Sequence, residues 1–175
     1  LTINTHGGDI VRAELLEHND ELNSDDKFVL LSQGANFVNV AQSGLIGRDG
    51  PDASANGRPL YQAEQKRYQL AEGESSLSVP LTFTNEAGVT FTKTFTLERG
   101  RYVVGVNYDI NNPSSQPVQA QLYAQLKQSE SKPGDDGGSM LMASAYRGPA
   151  YSTSETRYSK YDFKDVREAN LNRTT

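Results

Sequence analysis

Asp52-Ala53-Ser54-Ala55-Asn56-Gly57 places oxygen-bearing side chains at alternate positions with glycine sixth, which is how an EF-hand calcium loop begins. The pattern then fails. The twelfth position, where a bidentate Glu is needed, is Ala63, and Pro59 stands at the eighth, so the segment reads as an Asx-rich turn. The only imidazoles are His6 and His18, both set among Gly, Asp, Glu and Asn, where exposed turn positions are expected. Glu14, Glu17, His18 and Asp20 gather carboxylates around one imidazole, yet they lack the i, i+4 His pair of a helical zinc site. No Gly-x-Ser-x-Gly elbow and no Cys supplies a nucleophile. The chain is therefore expected to hold no catalytic, cofactor-binding or metal-binding residue. Asn172-Arg173-Thr174 fits a glycosylation pattern, which matters only in a eukaryotic secretory setting.

The residues best suited to chemistry of another kind, protein contact, lie near the C-terminus. Tyr146, Arg147, Tyr151, Arg157, Tyr158, Lys160, Tyr161 and Phe163 interleave rings with positive charge. Rings and guanidinium groups desolvate cheaply while keeping a polar handle, so Tyr and Arg are enriched at interfaces. Arg147, Tyr151, Arg157, Tyr158 and Tyr161 are the expected protein-contact residues. The competing expectation is an edge strand whose tyrosines pack on the body of the fold.

These side chains must be carried by strands, because apolar residues in the middle of the chain recur with period 2. Leu77, Val79, Leu81 and Phe83 form one row, and Val89, Phe91, Phe95 and Leu97 the next, with Thr90, Thr92, Thr94 and Thr96 on the opposite face. Keeping both rows on one side requires paired numbers with an even sum. Pairing Asn85 with Val89 leaves a loop of Glu86-Ala87-Gly88 with Gly88 at its left-handed position, and sets Phe83 opposite Phe91 and Val79 opposite Phe95. An Arg99-Gly100 turn would pair Glu98 with Arg101 and Leu97 with Tyr102. After Tyr102, Val104, Val106, Tyr108 and Ile110 comes a Pro-containing break from Asn111 to Pro117, and Val118, Ala120, Leu122, Ala124 and Leu126 then resume the alternation. Four strands in one antiparallel meander follow, with Val104 beside Ala124.

Ile10 to Leu16, Phe28 to Leu31, Phe37 to Val40 and Arg67 to Ala71 read as shorter strands. A meander with one apolar face needs a second sheet on it, and no helical period is available to cover it otherwise, so the expected fold is an all-β antiparallel sandwich. The 175 residues are expected to form a single domain with a truncated C-terminal end. Gly44 to Pro59 is a polar break, residues 128–139 read as a mobile loop, and Lys164 to Arg173 tolerates helix.

The formal net charge of -5 disfavours nucleic acid and anionic lipid surfaces, both of which need clustered Lys and Arg. The absence of Cys removes disulfides and thiolate metal sites and says nothing of compartment. No stretch approaches the roughly 18 apolar residues of a membrane span.

Several segments in order carry a resemblance: Leu1-Thr2-Ile3-Asn4-Thr5 with Gly7-Gly8-Asp9-Ile10, Gln42-Ser43-Gly44-Leu45 running into Gly47-Arg48-Asp49-Gly50-Pro51-Asp52, and Arg58-Pro59-Leu60-Tyr61. Thr90-Phe91-Thr92-Lys93-Thr94-Phe95, Arg99-Gly100, Val106-Asn107-Tyr108, Tyr146-Arg147-Gly148 and Ala150-Tyr151-Ser152 continue it. Together they resemble the large periplasmic domain of the YidC/Oxa/Alb insertase family of Gram-negative bacteria, over essentially the whole chain. The resemblance implies a galactose-mutarotase-like β-supersandwich on the periplasmic side of the inner membrane, between a first transmembrane helix and a membrane core that holds the family's hydrophilic groove and its arginine. It implies a non-catalytic, cofactor-free part of an insertase and chaperone for inner-membrane proteins. Auxiliary Sec translocon subunits are the implied partners, near the later part of the domain, with clients met through the membrane core. Residues Glu130 to Ser139 depart from other members. The alternative is a carbohydrate-binding or aldose-epimerase-like β-sandwich; against it, both histidines fall outside the meander and none is available to face a Glu across a groove.

Overall fold

The computed structural model describes residues 1–131, 146 and 148–168. These fall into two compact units, divided after Gln128, and each is described by itself.

In the first unit β1 (Thr2–Asn4), β2 (Asp9–Asn19), β3 (Lys27–Gln33) and β4 (Val38–Ile46) precede a short 3-10 turn, Pro51–Ala53. Then come β5 (Gln62–Ala63), β6 (Ser76–Thr84), β7 (Thr90–Glu98), β8 (Val104–Asn111) and β9 (Gln121–Gln128). They make two antiparallel sheets, one in the order β1-β2-β3-β4-β9 and the other β5-β6-β7-β8. The inner faces meet in two clusters. Ile10 of the first sheet packs with Val79, Leu81 and Phe95 of the second and with Tyr61, while Leu45 packs with Val89 and Phe91. Phe91 and Phe95 are wholly buried. The architecture is the sandwich that the period-2 rows require.

The β6–β7 hairpin has the expected register, with Phe83 opposite Phe91 and Val79 opposite Phe95. Its loop closes by the Asn85 amide donating to Val89 O at 3.0 Å, and Gly88 has φ +79°, which a Cβ would oppose. Three expectations are corrected. First, β7 and β8 pair two residues further along, Leu97 opposite Val104 rather than Tyr102. Parity survives this slip, so Phe95 still faces a valine, Val106 in place of Val104. The Glu98–Arg101 ion pair forms at 2.7 Å, but inside the turn instead of across the strands.

Second, β9 leaves the meander and joins the first sheet, where Ala124 lies opposite Ser43 and not Val104. The connection explains this. Asn112 folds it back on itself, donating to Gln116 O at 2.6 Å and accepting from the Ser114 amide at 3.0 Å. Asp49, just beyond β4, then takes the Gln119 amide on its carboxylate at 2.8 Å while its own amide donates to Gln119 O at 3.0 Å. The chain is thereby delivered to the free edge of β4. Third, Arg67 to Ala71 is no strand. Its neighbourhood is held by side chains, with Arg99 donating to Ala71 O and Glu74 O, and Gln62–Ala63 takes the edge beside β6.

The second unit contains a small hairpin, β10 (Ala150–Tyr151) with β11 (Ser159–Lys160), and a helix α1 (Phe163–Glu168). Asp162 begins α1 by accepting the Lys164 and Asp165 amides at 2.9 and 3.0 Å, an N-cap. Residues 132–139 of the expected loop and 169–173 of the helix-tolerant segment lie outside the described residues.

Candidate functional site

Among the described residues, three places concentrate chemistry. The first is a buried charge cluster that joins the sheets. Lys93 lies on β7 between Phe91 and Phe95, so strand alternation points it inward, and it is 0% exposed. Its ammonium donates to three backbone carbonyls, Gly8 O at 2.7 Å, Ser43 O at 2.9 Å and Gly7 O at 3.2 Å. Arg58, from the connection after β4, donates to two of the same carbonyls, Gly7 O and Ser43 O, both at 2.9 Å. It also pairs with Asp9 at 2.6 Å and Asp52 at 2.8 Å. Asp52 caps the Leu45 amide at 2.8 Å, and Gln42 donates to Asp9 at 2.5 Å.

Backbone geometry allows this approach because Gly7 and Gly8 both have positive φ, +77° and +63°; a Cβ on Gly8 would sit 2.9 Å from Lys93 Cδ, and one on Gly7 would run into the Arg58 guanidinium. Two carboxylates and two cations balance in charge. Burial pushes the Lys93 amine down to about 8, against the pull of Asp9 and Asp52. Burial also acts against the Arg58 charge, but the hydrogen bonds from Asp9 and Asp52 outweigh it and hold the guanidinium proton more firmly than in water. Burial raises Tyr108 to about 12. With every ammonium proton donated to a carbonyl, Lys93 has no access to a substrate, and the cluster is a structural tie.

The second place is the space beside that tie. The inward sides of β8 and β9, which lie on the open edges of the two sheets, are incompletely covered: Val106 is 39%, Ile110 40%, Leu122 60% and Leu126 80% exposed. Val106, Leu122 and Leu126, together with β2 residues, border an apolar groove of about 1110 Å³ that is also lined by Gly8, Ser43 and Tyr108.

The third is the β10–β11 hairpin, which holds most of the residues expected for protein contact. Its two faces differ. Tyr151 and Tyr161 are half-buried and stack on each other, centroids 5.8 Å apart and planes 10° off parallel, so they shape the hairpin. Tyr158 and Arg157 are exposed. Lys160 places its ammonium 4.6 Å from the Tyr146 ring centroid and 5.4 Å from that of Tyr158, a cation framed by two rings. The Tyr146 hydroxyl lies 2.9 Å from Pro149 O and 2.5 Å from Tyr161 O, which fixes its ring. Arg147 lies outside the described residues.

His6 and His18 come to no common site: His6 is exposed beside Leu60, and His18 packs on Tyr102 at 5.7 Å. Asp52, first in the calcium-like segment, is committed to Arg58, and among the described residues no three His, Asp or Glu side chains gather to hold a metal. The charge cluster was the feature missed in the sequence. Its signal was a lysine occupying an inward position of an otherwise apolar row.

Comparison with known proteins is unambiguous. The profile of the YidC periplasmic domain matches residues 1–175. Membrane protein insertase YidC of Aeromonas salmonicida is 54% identical over the whole chain, which covers 32% of that protein. The proteins of the same name from Psychromonas ingrahamii and Shewanella frigidimarina are 50% and 49% identical, again over the whole chain, which covers 30% and 32% of them. The chain thus spans about a third of the curated relatives it matches. No helix among the described residues is long and apolar enough to cross a membrane. Matched over its full length by that profile, the chain belongs to the YidC periplasmic domain family.

Proposed function

We propose that this chain is the non-catalytic periplasmic module of a membrane protein insertase, assisting the insertion and folding of inner-membrane proteins as a protein-contact domain. The observation that carries this reading is identity of about half over the entire chain with proteins named for insertase activity. Clients are met through the rest of the longer protein, and the module itself faces auxiliary Sec translocon subunits through the hairpin surface. Arg157 and Tyr158 are the anchors of that contact, because they are exposed where Tyr151 and Tyr161 are used for packing. Replacing Tyr158 and Arg157 together by Ala in the full-length protein should weaken copurification with the Sec subunits by about 2 kcal/mol or more, roughly 30-fold, with the melting temperature nearly unchanged. Undiminished copurification would refute the contact, and a large drop in melting temperature would make these residues packing elements.

A further inference from the structure

The chemistry of the partner can be read from the exposed face of the hairpin, on the reading above that this hairpin is a contact surface. Lys160 is an exposed cation held by two rings, Tyr146 and Tyr158, which are themselves 41% and 62% exposed. Neither Lys160 nor the neighbouring Arg157 makes an ion pair with any described residue, although the chain is acidic overall and Arg12, Arg48, Arg101, Lys164 and Arg167 each have a carboxylate. The opposite face is closed by the stacked Tyr151 and Tyr161, and the Tyr146 hydroxyl is tied to backbone carbonyls. The Tyr146 ring beside the cation is therefore held in place, so less side-chain entropy is lost there when something docks on it.

We infer that this face receives a protein segment in which an acidic residue is flanked by apolar side chains, the carboxylate landing on the Lys160 ammonium and the apolar neighbours on the Tyr146 and Tyr158 rings. An ammonium between exposed phenol rings attracts a carboxylate more strongly once the rings are covered, because the surrounding water is removed. A purely acidic segment would leave the rings wet, and a purely apolar one would bury the ammonium without a counter-charge, which is unfavourable.

A photo-crosslinking phenylalanine analogue at position 158 of the full-length protein, irradiated in native inner membranes, tests this. Adducts should map to protein segments carrying Asp or Glu between apolar residues. Lys160→Glu should lower the yield about fivefold or more, Lys160→Arg should retain it, and added salt should reduce it. The exposed position makes folding of the Lys160→Glu protein checkable by a melt matching the wild type. Adducts that persist with Lys160→Glu, or that map to segments without a carboxylate, overturn the acidic-partner inference while leaving the contact surface standing. Adducts confined to lipid, or none at all, overturn both.

Discussion

Lys93 offers the sharpest test of how this domain is held together. A lysine in the unfolded chain has a pKa near the ordinary 10.5, and burial beside Asp9, Asp52 and Arg58 lowers it to about 8 in the folded state. Between those values the folded protein binds fewer protons than the unfolded one. Stability must therefore rise with pH through this window, not fall. Raised tyrosines act in the opposite sense above pH 10, Tyr108 titrating at about 12 when folded, so the measurement belongs between pH 7 and 9.5. Across that range a shift from 10.5 to about 8 contributes about 2 kcal/mol. Urea denaturation of the wild type and of Lys93→Met at several pH values gives the difference. The unfolding free energy of the wild type should gain about 2 kcal/mol on that of the variant from pH 7 to 9.5, groups common to both cancelling. Absolute stability is a poorer guide, since Met also loses the bonds to Gly7 O, Gly8 O and Ser43 O. A difference that stays flat or shrinks with pH would mean that the three carbonyls and two carboxylates fully offset burial, and the reasoning on desolvation would be wrong.

Further substitutions probe the same frame by chemical denaturation. Phe95→Ala, removing a ring that is wholly buried between the sheets, should cost about 3 to 5 kcal/mol, whereas Thr94→Ala on the outer face should cost far less; equal losses would contradict the assignment of faces. Arg58→Ala should cost about 3 to 5 kcal/mol, because Asp52 and Asp9, with side chains only 1% and 9% exposed, lose their shared counter-charge, and replacing Asp52 by Asn in the same protein should recover part of that loss. Additive losses in the double variant would deny that the two residues are coupled.

Strand periodicity made the β6–β7 hairpin legible to the residue, since a slip of one would have turned Phe91 and Phe95 to solvent. A slip of two carries no such penalty. That is why the β7–β8 register, equally consistent with Leu97 facing Tyr102 or Val104, could be settled only by the turn, whose Arg101 amide closes on Glu98 O at 3.2 Å. Which sheet β9 joins is a question of long-range pairing, and alternation is the same in either. Asp49, far from β9 in sequence, decides it by holding Gln119.

Lys93 was legible in principle. It stands at the centre of the row Val89, Phe91, Phe95 and Leu97 with the parity of a core residue, and an inward lysine demands acceptors from somewhere. The sequence offers no way to see that these are backbone carbonyls, because carbonyls belong to every residue. Only the paired glycines at 7 and 8, whose positive φ turns their carbonyls towards one point, mark where the acceptors lie. Asp9 adjoins that turn, and Asp52 and Arg58 lie on the loop that Asp52 pins to the Leu45 amide. Gly-Gly-Asp near the N-terminus, Asp and Arg on the loop after β4, and a lone lysine in the apolar row of β7 thus form one device distributed over three distant segments. Its parts look unremarkable separately because the charge balance that makes burial tolerable exists only once the two sheets have come together.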